Sequence, residues 1–299
     1  MPAARDFRLV RPDGRRVSWR EAGREQDGRT LVHFHGYPGS RLEIDLADRL
    51  ARDLGLTMVA LERPGFGRSS RHPGRTLLDW PDDVAAVLDQ RGDERALITG
   101  ASGGAPYALA FAHAYPARVE RVGLMGGLGP LAHDDALLDD MVALNRLGIR
   151  AWQRHRGLAA PCVRALMEIA ARLPAWAWAT LLRLSPPEPD RRALRQGLAR
   201  ELATSFAEGV HAGGMLDELD LIVSPWPFEL ERVEAPVHMW HGQLDTIVPP
   251  AVARHLASRL PDARLTWFAE EGHFSLIAKR MPEMLSALCR EANAPEPLA

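Results

Sequence analysis

The chain has 299 residues, of which 46% are hydrophobic and 25% are charged, values that are ordinary for a globular protein with a deep core. Its formal net charge of −2 gives no electrostatic reason to expect nucleic acid as a partner. No run approaches about 18 uninterrupted apolar residues, and residues 1–19 lack the apolar core of a signal peptide, so we expect no membrane association and predict a cytoplasmic location.

The first part of the chain alternates short apolar runs with helical patterns. Residues 7–10 and 15–22 are predicted to pair as a hairpin around the turn Pro12-Asp13-Gly14. The alternation that follows is typical of a parallel sheet covered by helices on both faces. It predicts strands at 31–34, 57–62, 96–99 and 121–125, and helices at about 41–54, 77–90 and 103–114.

A helical block interrupts this alternation. Residues 130–225 contain helical patterns and almost no strand-like run. We therefore predict an α/β fold with a mostly parallel, eight-stranded sheet, helices on both faces, and an inserted helical cap (lid) at residues 130–225 over the carboxyl edge of the sheet. Residues 1–129 and 226–299 would form the core domain. The second part of the core domain, residues 226–299, is predicted to contain strands at 237–242 and 264–269, and helices at about 250–260 and 275–291.

The strongest chemical signal is the segment Gly100-Ala101-Ser102-Gly103-Gly104, which lies between a predicted strand and a predicted helix. This is the context of a nucleophile elbow, a strained turn that exposes a serine hydroxyl. Small residues two positions before and after the serine let the strand and helix backbones approach closely. On this motif alone, an ordinary glycine-rich turn with an uninvolved serine is the alternative.

A second glycine-rich loop, His35-Gly36-Tyr37-Pro38-Gly39, follows the strand predicted at 31–34. Such a loop can direct a backbone N–H at the negatively charged oxygen that develops during acyl transfer. We predict an oxyanion hole formed by the amides of Tyr37 and Gly103. A loop whose glycines serve only the turn geometry is the structural alternative.

A serine nucleophile needs a base, and the base needs an acid that orients it. Asp245 follows the strand predicted at 237–242, and His273 follows the strand predicted at 264–269. Both therefore lie just past strand ends, at the edge where open α/β sheets bind ligands. Because the order serine, acid, histidine also matches enzymes with a nucleophile elbow, we predict Ser102, Asp245 and His273 as a catalytic triad.

Other histidines and acids are weaker candidates. His33 and His35 precede the serine in the chain, and His241 is expected to hold the loop of the acid. The loop after residues 121–125 offers no carboxylate until position 134, so Asp245 is preferred. Four further histidines fall on predicted helices or within a strand, where a structural role is expected: His113, His211, His238 and His255.

Together these motifs resemble the α/β-hydrolase superfamily over nearly the whole chain, with the cap as the variable part. The segment Glu62-Arg63-Pro64-Gly65-Phe66-Gly67-Arg68-Ser69 is similar to the family's D-x-P-G-x-G-x-S turn, with glutamate where aspartate is usual. Relatives that dehalogenate alkanes or open epoxides attack with an aspartate, whereas position 102 is a serine. The resemblance therefore implies acyl transfer by an esterase-like enzyme without a metal or organic cofactor.

We favour hydrolysis of a carboxylic ester of a small to medium, fairly apolar substrate through an acyl-enzyme. The resemblance leaves other members open: a proline iminopeptidase, a cofactor-free perhydrolase, and a ligand-binding or biosynthetic member that does not hydrolyse its ligand. An iminopeptidase would use acidic residues of the cap to hold a free amino group. The candidates for that role are Glu201, Glu208, Asp217, Glu218 and Asp220.

The cap is expected to set substrate specificity. Cys162 and Cys289 match no metal-binding or redox spacing, and we predict a small-molecule substrate with no metal and no cofactor. The sequence does not distinguish a monomer from a homodimer. Four tryptophans in or beside the cap are predicted to line an acyl or alcohol pocket, although each could instead pack the cap against the core: Trp152, Trp176, Trp178 and Trp226.

Overall fold

The computed structural model describes residues 4–24, 28–132, 134–184, 187–210 and 212–291. Its strands are Arg5–Val10 (β1), Arg16–Gly23 (β2), Arg29–Phe34 (β3), Leu56–Leu61 (β4), Ala96–Ala101 (β5), Val119–Met125 (β6), Val237–Gly242 (β7) and Ala263–Phe268 (β8). They form one sheet in the order β1-β2-β4-β3-β5-β6-β7-β8. β2 pairs antiparallel with β1 and β4. The other six strands, β3 to β8, pair in parallel with one another. The predicted eight-stranded, mostly parallel sheet is confirmed.

Helices cover both faces of this sheet and also form a block between β6 and β7. The core helices are Asp48–Asp53 (α1), Trp80–Arg91 (α2), Ala105–Ala114 (α3), Pro250–Arg259 (α9) and His273–Glu291 (α10). The block between β6 and β7 contains Ala143–Ala170 (α4), Ala175–Leu182 (α5), Glu188–Ala193 (α6), Ala199–Gly209 (α7) and Ala212–Val223 (α8). We call residues 130–225 the helical insertion, and its role as a cap stays a prediction.

Alternation of side chains along the strands supplies two apolar cores, one on each face of the sheet. On one face, side chains such as Val32, Ile98 and Leu124 pack against α2 and α3. On the other face, Met58 and Met125 belong to the core that packs against α1 and α10. The strands in the middle of the sheet are therefore apolar on both faces, as the sequence pattern indicates.

One predicted helix has a different geometry. The segment predicted as a helix at about 41–54 begins with a 3₁₀ helix at Arg41–Ala47, and only its last part is the α-helix α1. Arg41, Ile44 and Ala47 are the buried residues of the 3₁₀ helix. Their spacing of three matches the three residues per turn of a 3₁₀ helix, so one side of the segment faces the core.

The longest helix of the insertion, α4, lies mostly at the surface. Of its 28 residues only Trp152 is buried, and its backbone leaves helical geometry at His155 (φ −137°, ψ 42°). No helix in the described ranges is long and apolar enough to cross a lipid bilayer. His211, for which we expect a structural role, lies outside the described residues.

Candidate active site

Four loops at the carboxyl edge of the parallel strands carry all the residues predicted for the triad and the oxyanion hole. The loop after β3 carries Tyr37, and the turn after β5 carries Ser102 and Gly103. The loop after β7 carries Asp245, and the loop after β8 ends at His273, the first residue of α10. The parallel sheet therefore brings residues that are distant in the chain to one edge.

Ser102 lies at a sharp turn between β5 and α3. Its φ angle is +50°, and no other non-glycine residue in the described ranges has a positive φ. Such a conformation costs about 1–3 kcal/mol and persists only where the surrounding structure imposes it. A Cβ at Gly100 would lie 2.8 Å from the carbonyl oxygen of Gly104, and a Cβ at Gly104 would lie 2.1 Å from that of Phe34. The turn therefore requires the small residues on both sides of the serine.

His273 and Asp245 form a buried hydrogen bond. Nδ1 of His273 lies 2.7 Å from Oδ2 of Asp245, and the two side chains are 4% and 0% exposed. The other carboxylate oxygen accepts hydrogen bonds from the amides of Ile247 at 2.9 Å and Val248 at 2.8 Å. The acid is thus fixed by its own loop. A carboxylate held against Nδ1 leaves Nε2 of the neutral imidazole without a proton, so Nε2 can act as a base.

Ser102 and His273 line the same cavity. Within the part of the chain that the structure describes, no hydrogen bond joins the Ser102 hydroxyl to Nε2 of His273. In free enzymes such contacts are often long and shorten when the substrate binds. Gly126, in the loop after β6, packs against His273 and Asp245. A Cβ added to this glycine would lie 3.2 Å from Nδ1 of His273 and 3.5 Å from Oδ2 of Asp245.

The two residues predicted for the oxyanion hole are neighbours. A Cβ on Gly103 would lie 3.2 Å from the amide nitrogen of Tyr37. The preceding amide, of Gly36, donates to the Glu43 carboxylate at 3.0 and 3.1 Å. The Tyr37 amide, by contrast, has no acceptor among the described residues. An unpaired N–H at this position is available to a substrate oxygen.

The charges around His273 favour its protonated form. Burial lowers the pKa of this histidine, but the charge and hydrogen bond of Asp245, together with the charges of Asp190 and Glu43, outweigh burial. The net result is a pKa above the ordinary value of 6.5. The same charges stabilise the imidazolium that forms when a base accepts a proton.

The other loop histidines have structural partners. Nε2 of His241 lies 2.9 Å from the carbonyl oxygen of Val248, and Nδ1 of His35 lies 2.9 Å from that of Gly36. Burial lowers the pKa of both His241 and His35, so both are neutral near pH 7. Within the described ranges, no three metal-ligating side chains are grouped so that they could hold a metal ion.

One contact to the histidine loop has no signal in the sequence. The carboxylate of Asp190, in α6 of the insertion, accepts hydrogen bonds from the amides of His273 at 3.0 Å and Ser275 at 2.8 Å. These are N–H groups of the first turn of α10, which have no partner within the helix. A Cβ on Gly272 would lie 2.6 Å from this carboxylate. The insertion therefore holds the turn on which His273 lies.

A second contact of this kind reaches the Tyr37 loop. Arg63 donates to the carbonyl oxygens of His35 at 2.5 Å and Gly36 at 3.0 Å. Its Nε lies 2.7 Å from Oε1 of Glu218 in α8, and both side chains are fully buried. Glu218 also accepts from Arg75 at 2.9 Å. The segment that resembles the D-x-P-G-x-G-x-S turn thus supports the Tyr37 loop and binds it to the insertion.

A cavity of about 220 Å³ opens beside Ser102 and His273. Its volume is below the roughly 300–1,000 Å³ of sites for drug-sized ligands, which indicates a small or narrow substrate. The insertion contributes Leu202 and Phe206 to its lining, and both residues are buried. The other lining residues come from the core: His33, Gly36, Tyr37, Pro38, Glu43, Ile44, Leu46, Ala47, Met58, Thr99, Ala101, Met125, Ile247, Phe274, Ile277, Met281 and Leu285.

None of the four tryptophans predicted to line a pocket is among the residues that line this cavity. Trp152 is buried beneath α8 with its indole nitrogen 3.2 Å from Asp220, and Trp226 packs in the core on the far side of the sheet. Trp176 is 73% exposed, and Trp178 packs edge-on against Phe206. The insertion contributes smaller apolar side chains to the cavity, because its tryptophans serve its own packing or face solvent.

Comparisons with known proteins agree with the fold. Residues 29–158 match a family model described as alpha/beta hydrolase fold. The chain is 32% identical over 252 residues to the pimeloyl-[acyl-carrier protein] methyl ester esterase of Aromatoleum aromaticum, covering 83% of this chain and 92% of that protein. It is 27% identical over 242 residues to the 2-hydroxymuconate semialdehyde hydrolase of Pseudomonas putida, covering 79% and 78%.

Solved structures show the same fold. An esterase from Exiguobacterium antarcticum aligns with a TM-score of 0.69 at 18% identity, over 95% of this chain and 98% of that one. At this identity the likeness is one of fold alone. Together with the sequence relatives, it identifies the chain as a member of the α/β-hydrolase superfamily.

Proposed function

We propose that this chain is a serine hydrolase that cleaves carboxylic esters of small to medium, fairly apolar substrates through an acyl-enzyme. The observation that carries the proposal is the buried 2.7 Å hydrogen bond between His273 and Asp245, at the edge of a cavity that Ser102 also lines. The similarity to a methyl ester esterase over 83% of the chain supports an ester as the substrate.

In the proposed reaction, Nε2 of His273 takes the proton from the Ser102 hydroxyl as its oxygen attacks the carbonyl carbon of the ester. Asp245 orients the ring and stabilises the imidazolium. The oxyanion that forms accepts hydrogen bonds from the amides of Tyr37 and Gly103. The imidazolium then protonates the leaving alkoxide. A water molecule, deprotonated by the same ring, hydrolyses the acyl-enzyme to the free acid and restores the serine.

An aminopeptidase is less well supported, because the acidic residues of the insertion are engaged or remote. None of the five candidates for an amine site lines the cavity. Glu43, an acidic residue that does line it, already accepts two hydrogen bonds from the Gly36 amide. The insertion acids are placed as follows: Glu218 pairs with Arg63 and Arg75, Glu208 with Arg41, Asp217 with Arg71 and Asp220 with Arg156, while Glu201 is exposed.

Covalent labelling and turnover test the proposal together. The wild type is expected to react with a fluorophosphonate probe and to release p-nitrophenol from p-nitrophenyl butyrate. Ser102→Ala should lose the labelling and reduce kcat by roughly 10⁶-fold, because the nucleophile is gone. Ser258→Ala, which changes an exposed serine of α9, should keep both activities. An unlabelled wild type, or labelling that survives Ser102→Ala, would contradict the proposal.

A further inference from the structure

The cavity beside Ser102 continues well past the reacting groups, between one face of the sheet and α10. Met58 lies on β4, Thr99 on β5 and Met125 on β6, and all three line the cavity. The 3₁₀ helix Arg41–Ala47 contributes Ile44 and Ala47 to another wall. The cavity is thus continuous with the apolar core under α1 and α10, and it does not lie mainly under the insertion.

The α10 wall is a single stripe that begins at the candidate base. His273, Ile277, Met281 and Leu285 all line the cavity and are spaced four residues apart. Residues at this spacing lie on one side of a helix. At a rise of 1.5 Å per residue, the stripe extends roughly 18 Å from the first residue to the last. A cavity of about 220 Å³ along such a stripe is long and narrow.

Beyond the reacting groups, the lining is mostly apolar. The polar groups His33, Thr99 and Glu43 are already engaged, because His33 lies 3.0 Å from Thr99 and 3.4 Å from Glu43. No lysine or arginine is among the residues that line the cavity, so nothing there would neutralise a charged chain end. Three methionines line the cavity, Met58, Met125 and Met281, and their flexible side chains can adapt to the length and bends of an alkyl chain.

We propose that this cavity is the acyl-chain subsite of the enzyme and that it takes an unbranched, uncharged acyl chain lying along α10. The alcohol part of the ester then lies on the side of Leu202 and Phe206, the insertion residues that line the cavity. The inference rests on the proposed function, because the acyl carbonyl must lie at Ser102. According to this proposal, residues of α10 and the sheet determine the preferred length of the acyl chain, and the four tryptophans do not.

A series of p-nitrophenyl esters from acetate to dodecanoate tests the subsite. In the wild type kcat/KM should rise by about fourfold per methylene group until the cavity is full. Met281→Trp obstructs the stripe midway, so the ratio of kcat/KM for decanoate to that for acetate should fall at least tenfold. Leu285→Ala should move the optimum to longer chains. An ester of equal length with a terminal carboxylate should be a poor substrate.

Trp176→Ala is the matched control, because it removes a tryptophan of the insertion that is 73% exposed and does not line the cavity. It should change the decanoate-to-acetate ratio by less than twofold. If Met281→Trp does not fold, Ala47→Phe narrows the cavity from another wall and carries the same prediction. An unaltered ratio in the folded narrowing variant, or a large change in Trp176→Ala, would overturn the subsite while leaving the esterase proposal intact.

A binding measurement separates the subsite from catalysis. In the Ser102→Ala background, which cannot form an acyl-enzyme, methyl decanoate should raise Tm and methyl acetate should not. Adding Met281→Trp should abolish the shift. If no ester is hydrolysed by the wild type but this shift is seen and lost as expected, the proposed function fails and the chain-binding cavity stands. The absence of a shift with methyl decanoate would overturn the cavity as a binding site.

Discussion

The protonation state of His273 sets the acidic limit of the proposed reaction. A base must be unprotonated, so kcat/KM should fall as the pH drops through the pKa of His273, which lies above 6.5. Asp245→Asn removes the charge that raises this pKa and leaves the burial that lowers it. The acidic limb of the pH–rate profile should therefore move to lower pH. Because the ring also loses its orienting partner, kcat should fall by about 10⁴-fold.

The pH profile of kcat/KM, measured with p-nitrophenyl butyrate from pH 5 to 9, checks this prediction. Asp220→Asn is a suitable control, since it removes a carboxylate of the insertion that pairs with Arg156 at the surface. An acidic limb that stays in place, or moves upward, in Asp245→Asn would show that another group titrates.

At the scale of single elements, the turn after β5 depends on two close backbone contacts. Gly104→Ala would place a Cβ 2.1 Å from the carbonyl oxygen of Phe34, which cannot move without displacing β3. We expect a loss of about 3 kcal/mol in the free energy of unfolding, the upper end of the usual cost of overpacking. Gly148→Ala in α4 meets nothing within 4 Å and should stabilise by up to about 1 kcal/mol. Urea denaturation of both variants gives the comparison, and equal stabilities would contradict it.

The first turn of α10 depends on Asp190. Asp190→Asn keeps the shape of the side chain but leaves one acceptor for two amides, and it removes a charge that raises the pKa of His273. We expect kcat to fall by about 10–100-fold, since a small misplacement of the base is costly. The acidic limb should also move to lower pH. If Asp190 had only a structural role, the substitution would lower stability without moving the acidic limb of the pH–rate profile.

Glu188→Gln provides the control for Asp190. It lies in the same helix, α6, but its side chain is exposed and pairs with Arg191 and Arg192 at the surface. Its kcat and its pH profile should match those of the wild type. If Asp190→Asn reduces KM and kcat in proportion and leaves the pH profile unchanged, the positioning role is wrong.

At the scale of the whole molecule, the insertion is joined to the core by buried charges. Glu218→Gln would leave Arg63 and Arg75 without their shared carboxylate in a site closed to water. Removing one partner of a buried ion pair costs about 3–5 kcal/mol. Glu201→Gln, an exposed change in α7, should alter stability by less than about 0.5 kcal/mol. Chemical denaturation measures both, and a small loss for Glu218→Gln would contradict the account.

The strand-end residues could be predicted from the sequence because each depends on local pattern. Ser102, Asp245 and His273 each follow an apolar run that predicts a strand. Parallel pairing of these strands then brings the three residues to the same edge of the sheet. The contacts of Asp190 and Glu218 could not be predicted, since they join residues more than 80 positions apart along the chain. The positions of the tryptophans were beyond prediction for the same reason. Amphipathic spacing shows that a helix packs, but not which neighbour it packs against.

The two buried carboxylates of the insertion also restrict how a ligand reaches the serine. Lifting α6–α8 as a rigid body would strip Asp190 from its amides and Glu218 from two guanidinium groups at once. Ligand exchange is therefore expected through side-chain movements of Leu202 and Phe206, the α7 residues that line the cavity, with α6–α8 held in place.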